Sequence, residues 1–270
     1  MSSVGALWGA LVSPDRTLAD DRTFKTPRIV PFLLILALAL AGTALALRFS
    51  SSPALRDLTT REVLARLDRM MASAPPEQRE EARRQTLASL QNQSPVVAFV
   101  SAGAFVIAQW LLSIVQIWLL FILVPQFMGG EEQPVETRRH RRTQYLALFA
   151  CVPLALQELL RGVVLSVMDP SRLANVTTLA ELQRAAEVNF SIPFLAGLTL
   201  IGTPEVLRGV VFNLTNPFVL WAAYVLIWGG ASVLRISRLK TAIAGAVVFA
   251  LFTVEGALLA QVGRLFGAGA

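Results

Sequence analysis

Three ionisable residues stand inside long apolar runs of this sequence: Glu158, Arg161 and Glu255. A charged side chain in hydrocarbon is costly, so each marks a proton relay, a polar cavity or a paired contact. Glu158 and Arg161 are three positions apart. On a helix they share one face and can neutralise each other, with the arginine reaching toward water along its aliphatic stem. The alternatives are a proton-linked cavity completed by Glu255, or the docking of a partner helix. A second polar series, Gln109, Ser113 and Gln116, recurs at spacings of four and three. Such a stripe more often joins helices by hydrogen bonds than binds a substrate.

Other chemistry is sparse. His140 is the only histidine and Cys151 the only cysteine, so neither an intrachain disulfide nor a thiolate metal site can form. No Gly-x-Ser-x-Gly, His-Glu-x-x-His or phosphate-binding glycine loop occurs. We expect no catalytic residues, no cofactor and no metal, and hence no enzyme.

The elements that must carry these residues are membrane helices. The 270-residue chain is 54% hydrophobic and 16% charged, with a mean hydropathy of +0.58, a composition foreign to water-soluble domains. Apolar residues gather in blocks at 29–47, 96–124, 145–167, 218–234 and 242–262. Each approaches or exceeds the roughly 20 residues that cross a bilayer as a helix. None alternates as a barrel strand would, so helices must satisfy the backbone. The expected fold is all-α, a polytopic integral membrane helical bundle with about five transmembrane helices and helical extracytoplasmic loops. No cleavable leader is evident, and the first span is expected to do its own targeting.

Arginine placement sets an orientation. Arg16, Arg22, Lys25 and Arg28 precede the first span; Arg138, Arg139, Arg141 and Arg142 lie between the second and third; Arg235, Arg238 and Lys240 lie between the fourth and fifth. All three segments fall on one side if the N-terminus is cytoplasmic and the C-terminus extracytoplasmic. The formal charge of +6 is thereby explained by topology, and nucleic acid is not expected as a partner. The segment Leu55–Gln93 holds seven arginines and opposes this arrangement, but it is interleaved with acidic residues and long enough to be translocated.

In the segment 1–28, Val4, Leu7, Trp8 and Leu11 recur at helical spacing, a pattern expected of an amphipathic helix on the inner membrane face with Trp8 as its anchor. Trp8 and the arginines at 138, 139, 141 and 142 are the expected contacts with lipid or a partner. In the segment 54–93, Thr59-Thr60-Arg61-Glu62 has capping-box spacing, and Pro75-Pro76 separates two helices into a charged hairpin. The segment 169–216 is expected to hold a second helical loop, with a helix over 178–190. Within it, the apolar stretch from Ile192 to Ile201, about half a membrane long and bounded by Pro193 and Pro204, reads as a buried or interfacial segment; if Ile192 to Phe212 crossed as a sixth helix, both termini would share a side.

Three landmarks resemble the YIP (Ypt-interacting-protein) membrane family. The first is Leu7-Trp8-Gly9-Ala10-Leu11-Val12-Ser13-Pro14-Asp15-Arg16-Thr17-Leu18, with Thr26-Pro27-Arg28 after it. The second is the stretch from Tyr145 to Pro153. The third is Asn216-Pro217-Phe218-Val219-Leu220-Trp221, followed by Gly229-Gly230 and Arg235 to Lys240. Their order and spacing cover nearly the whole chain, and 29–262 would be the family's membrane domain. The resemblance implies a five-helix, non-enzymatic adaptor. Eukaryotic relatives act in vesicle traffic with small GTPases, and some bacterial relatives are linked to ABC-type exporters. A chain rich in Arg and Ala with only Lys25 and Lys240 suggests a bacterial member in the cytoplasmic (inner) membrane, acting as an accessory subunit of another integral membrane protein, an ABC exporter foremost. The alternatives are a small transporter or channel built on Glu158, Arg161 and Glu255, and a protein that organises membrane lipid.

Overall fold

Apolar runs bounded by prolines become helices here, and every regular element among the described residues is helical. The computed structural model describes residues 3–25, 27–50, 53–91, 95–127, 137–169, 188, 190–191 and 205–252. In order these form α1 (Ser3–Val12), α2 (Pro14–Thr17), a 3-10 turn (Asp21–Lys25), α3 (Ile29–Ser50), α4 (Pro53–Met70), α5 (Pro76–Gln91), α6 (Pro95–Phe127), α7 (Thr137–Val167) and α8 (Glu205–Thr215). Then come α9 (Pro217–Leu234), with a π-helical turn at Val225–Gly229, and α10 (238–252).

Among the described residues, four stretches are long and apolar enough to cross a bilayer: Ile29–Leu47, Ala102–Leu123, His140–Val167 and Pro217–Leu234. The chain is a polytopic helical membrane protein. The fifth expected span, 242–262, begins within α10, and its residues from 253 onward lie outside those described. Of the stretch 192–212, only the part from Glu205 is described. There α8 is 11 residues long, about 16 Å at 1.5 Å per residue, half a hydrocarbon core. Of the helix expected over 178–190, only residues 188 and 190 are described, and neither is helical.

Two boundaries differ from the sequence reading. The arginines at 138, 139, 141 and 142, expected in a loop, lie on the first turns of α7, which starts at Thr137. Cations oppose the dipole at a helix N-terminus, so local propensity does not place the start there. Tertiary contact does: the Arg142 guanidinium lies over the Phe24 ring at 5.2 Å, and His140 meets Trp118 edge-on at 6.2 Å. The second difference is α4, which begins at Pro53 rather than at the capping-box threonines. Proline is preorganised for the first helical position, and Thr59 and Thr60 are then interior residues.

The chain divides into two compact units, Met1–Leu40 with Val106–Glu158 and Asn189–Leu259, and Ala41–Phe105 with Leu159–Val188 and Ala260–Ala270. In the first unit, residues Tyr145 to Pro153 of α7 are all buried. A helix apolar all round belongs at the centre of its neighbours, and Cys151 is buried there. Around it pack Ile35 and Ala39 of α3, Ile117 and Phe121 of α6, Val225 and Leu226 of α9, Ala244 and Val248 of α10, and Ala10, Leu11 and Leu18 from the N-terminal segment.

In the second unit α4 and α5 form a hairpin around the turn at Met71–Pro75. Asp68 and Arg83 pair across it at 3.3 Å, and Glu80 and Arg84 pair along α5 at 3.4 Å. The same unit brings two glycines of the long helices together. A Cβ on Gly162 of α7 would stand 2.2 Å from the carbonyl oxygen of Gly42 in α3. Backbones that close need small residues on both sides.

Candidate functional site

The start of α9 explains how a site can be assembled around it. Asn216 caps the helix, its side chain accepting from the Phe218 N–H at 3.0 Å, and Pro217 occupies the first turn, the pairing that favours a helix start. Nine residues on, the helix widens into its π-turn. A π-turn shifts the backbone register of the residues beyond it, and here it precedes Gly230. The Thr241 hydroxyl lies within hydrogen-bond reach of the Ile227 and Arg238 carbonyls, at 3.0 and 2.9 Å, and so holds the start of α10 against that turn. Between the two helices Arg235 adopts the left-handed conformation, φ 54°, which ends α9 abruptly.

Against α9 lies the N-terminal segment. The indole N–H of Trp221 donates to the Leu11 carbonyl at 2.9 Å, and the Tyr224 hydroxyl donates to the Val12 carbonyl at 3.3 Å. These are carbonyls at the end of α1, where a helix has no intrahelical donors left. Further along, a Cβ on Gly229 would stand 2.6 Å from Leu18 Cδ1 and 2.9 Å from Leu146 Cδ1, and one on Gly230 would stand 2.9 Å from Phe121 Cε1. From Trp221 to Gly229 the contacts run along α9 for eight residues, about 12 Å. The segment is therefore docked along the flank of α9, a berth that its amphipathic pattern alone, which suggests the membrane face, does not disclose. Ala6, Ala10 and Leu11 point inward, whereas Trp8 is 64% exposed. The turn after α2 is pinned by the Thr23 hydroxyl on the Thr17 carbonyl at 2.6 Å and by Phe24 edge-on to Tyr145 at 5.5 Å.

The three stretches that resemble one family therefore meet in one place. Leu11, Pro14 and Leu18 come from the first, Tyr145 and Leu146 from the second, Trp221 and Gly229 from the third. Sequence reasoning picks out the unusual residues, Trp221 and Gly229-Gly230, and misses every one of these pairings.

The residues singled out for chemistry that fall among those described lie on α6 and α7. Glu158 is half-buried and Arg161 exposed on α7, and Glu255 lies outside the described residues. On α6, Gln109 is exposed while Ser113 and Gln116 are half-buried. Arg141 is exposed and Arg142 half-buried; the side chains of Arg138 and Arg139 are outside those described. Among the described residues no three His, Cys, Asp or Glu side chains gather as metal ligands would. The paired polar groups close helix ends and fix turns.

No curated protein and no solved structure matches the chain. The model of the Yip1 domain matches residues 8–259, a range that begins at Trp8 and takes in the three converging stretches except for Leu7. With that match over nearly its full length, the chain belongs to the Yip1 domain family.

Proposed function

We propose that this protein is a non-enzymatic accessory or scaffolding subunit that associates with another integral membrane complex, an ABC-type exporter in the cytoplasmic membrane of a bacterium. The observation that carries the reading is the use made of the polar groups at the family's landmark stretches. Trp221, Tyr224, Asn216, Thr23 and Thr241 each satisfy backbone groups of a neighbouring or adjoining element. Such an arrangement builds a fixed surface. In this reading the N-terminus is cytoplasmic, the C-terminus and the α4–α5 hairpin are extracytoplasmic, and the hairpin presents its charged faces to the partner's outer portion. The partner class comes from the family resemblance.

The test is purification of the full-length protein in mild detergent after crosslinking in intact membranes, followed by mass spectrometry. Recovery of exporter subunits in fixed proportion supports the proposal. Recovery of the protein alone, crosslinked or not, overturns it. Labelling of single cysteines placed at Ser89 on α5 and at Ser237 before α10, with a reagent that does not cross the membrane, checks the orientation: only the first should react from outside.

A further inference from the structure

The N-terminal segment changes polarity in step with its course along α9. α1 packs against the π-turn Val225–Gly229, and α2 packs against the same turn and against Gly230–Leu234, the end of the helix. Single contacts agree. The Leu11 and Val12 carbonyls accept from Trp221 and Tyr224, whereas Pro14 and Leu18 lie at Gly229. Phe24 then reaches Tyr145 near the start of α7, and Arg28 donates to the Gln144 side chain just before α3 begins. From Met1 to Pro14 no side chain is charged, and seven of the next fourteen residues, Asp15 to Arg28, are. Charge enters as the chain passes Gly229 and makes for the end of the bundle.

The depth of α1 follows from its berth. Pro217–Leu234 is one of the candidate spans. Val225 and Gly229 stand nine and five residues inside its end at Leu234, about 14 and 8 Å along the helix, in a hydrocarbon layer about 30 Å thick. What packs on them lies at hydrocarbon depth too. A helix resting on the membrane face needs a polar side turned to water, and the described side chains of α1 supply none. Ala6, Ala10 and Leu11 point inward, and the exposed residues are Trp8 and Val12. A helix apolar on all sides belongs in a core or in lipid. Ten residues, about 15 Å, are too few to cross. Tyr224, the donor to Val12, is one turn from Leu220 on α9, itself 49% exposed, so the outer face of α1 continues the exposed surface of a span.

We propose that α1 is an intramembrane helix, held beside α9 within the hydrocarbon, and that its outer face at Trp8 and Val12 contacts lipid acyl chains. The bonds from Trp221 and Tyr224 then have a use that a helix on the surface would not require. They satisfy carbonyls at a helix end where no water is present to do so. The placement rests on the contacts with α9 and not on the exporter reading.

The test uses the full-length protein in phosphatidylcholine vesicles, spin-labelled at Val12→Cys or Trp8→Cys, with Cys151 buried away from the reagent. Collisions of the label with oxygen, which concentrates in hydrocarbon, are compared with those of a water-soluble nickel chelate present on both faces. Leu220→Cys and Ser237→Cys supply the references for a site within a span and an exposed site between spans. Position 12 should match position 220, with oxygen favoured over the chelate. Chelate access equal to that at 237 would put α1 on the membrane surface and overturn the proposal. A label at 12 shielded from both reagents would mean that protein, from a second copy or another partner, covers this face, and would overturn the acyl-chain contact. Should the label itself dislodge α1, unlabelled Val12→Lys and Val12→Leu decide: in permeabilised vesicles lysine should speed cleavage of the first 20 residues by added protease and leucine should not. Equal cleavage of the two variants overturns the proposal.

Discussion

The backbone of Gly42 stands where the side chain of any other residue at position 162 would have to go: a Cβ on Gly162 would lie 2.2 Å from the Gly42 oxygen and 2.7 Å from its Cα. Main chain cannot rotate aside as a side chain can. The crossing of α3 and α7 in this unit therefore depends on glycine at that position.

Replacing Gly162 should separate the two helices. Gly162→Ala is expected to destabilise by about 1–3 kcal/mol, the range for forcing extra volume into a packed contact, and Gly162→Leu by more. Thermal unfolding in detergent measures this. An alanine variant that melts with the wild type would mean that the helices can shift without loss.

Gly229 should behave differently, because the two atoms a Cβ there would crowd most are the ends of the Leu18 and Leu146 side chains, at 2.6 and 2.9 Å, with Pro14 Cβ farther off at 3.4 Å. Those can rotate. Gly229→Ala is expected to cost about 1 kcal/mol and to keep the N-terminal segment docked, while Gly229→Leu should displace it. Protection of the first 20 residues from added protease distinguishes the two.

Trp221→Phe keeps an aromatic ring and removes the donor to the Leu11 carbonyl. A buried carbonyl left without its partner costs about 1–3 kcal/mol, which should loosen α1 locally and leave the remainder folded. The chain offers a clean reporter. Cys151 is its only cysteine and is buried, so a cysteine introduced by Ser3→Cys can be labelled selectively. Its labelling rate should rise in the Trp221→Phe background; an unchanged rate would show that the indole contact does not hold the segment.

The hairpin pair should matter little. Arg83 and Asp68 are both more than a third exposed, and surface ion pairs contribute from nothing to about 1 kcal/mol and fade with salt. Arg83→Ala should leave the melting temperature within a degree or so of wild type at high salt. A large loss would mean that the two hairpin helices rely on that pair rather than on apolar packing.

The membrane helices were legible because hydropathy is a local property, and runs such as Ile29 to Leu47 announce themselves. So was Pro75-Pro76 as a break, where two residues settle the backbone; Asn216-Pro217 stood out only as part of a landmark, and its capping bond had to be seen. The capping box at Thr59 misled because a proline six residues earlier offered another start. The arginines at 138, 139, 141 and 142 looked like a loop by charge, and it takes the contacts of Arg142 with Phe24 and of His140 with Trp118 to account for helix reaching so far back. Gly42 carries no signal at all in its alanine-rich run, since its partner is 120 residues away. Composition marks which residues prefer lipid; it does not say which helices meet.

The bond from Trp221 to Leu11 closes over 210 positions of sequence, and that from Tyr224 to Val12 over 212. During synthesis the N-terminal segment emerges first, while the helix that receives it is made only after three spans have entered the bilayer. Until then the carbonyls of Leu11 and Val12 must find water or a temporary partner. Assembly of this protein thus ends where its sequence begins, and a chain cut short before residue 221 would leave its first helix without a berth, which offers a quality-control factor a simple sign of an unfinished molecule.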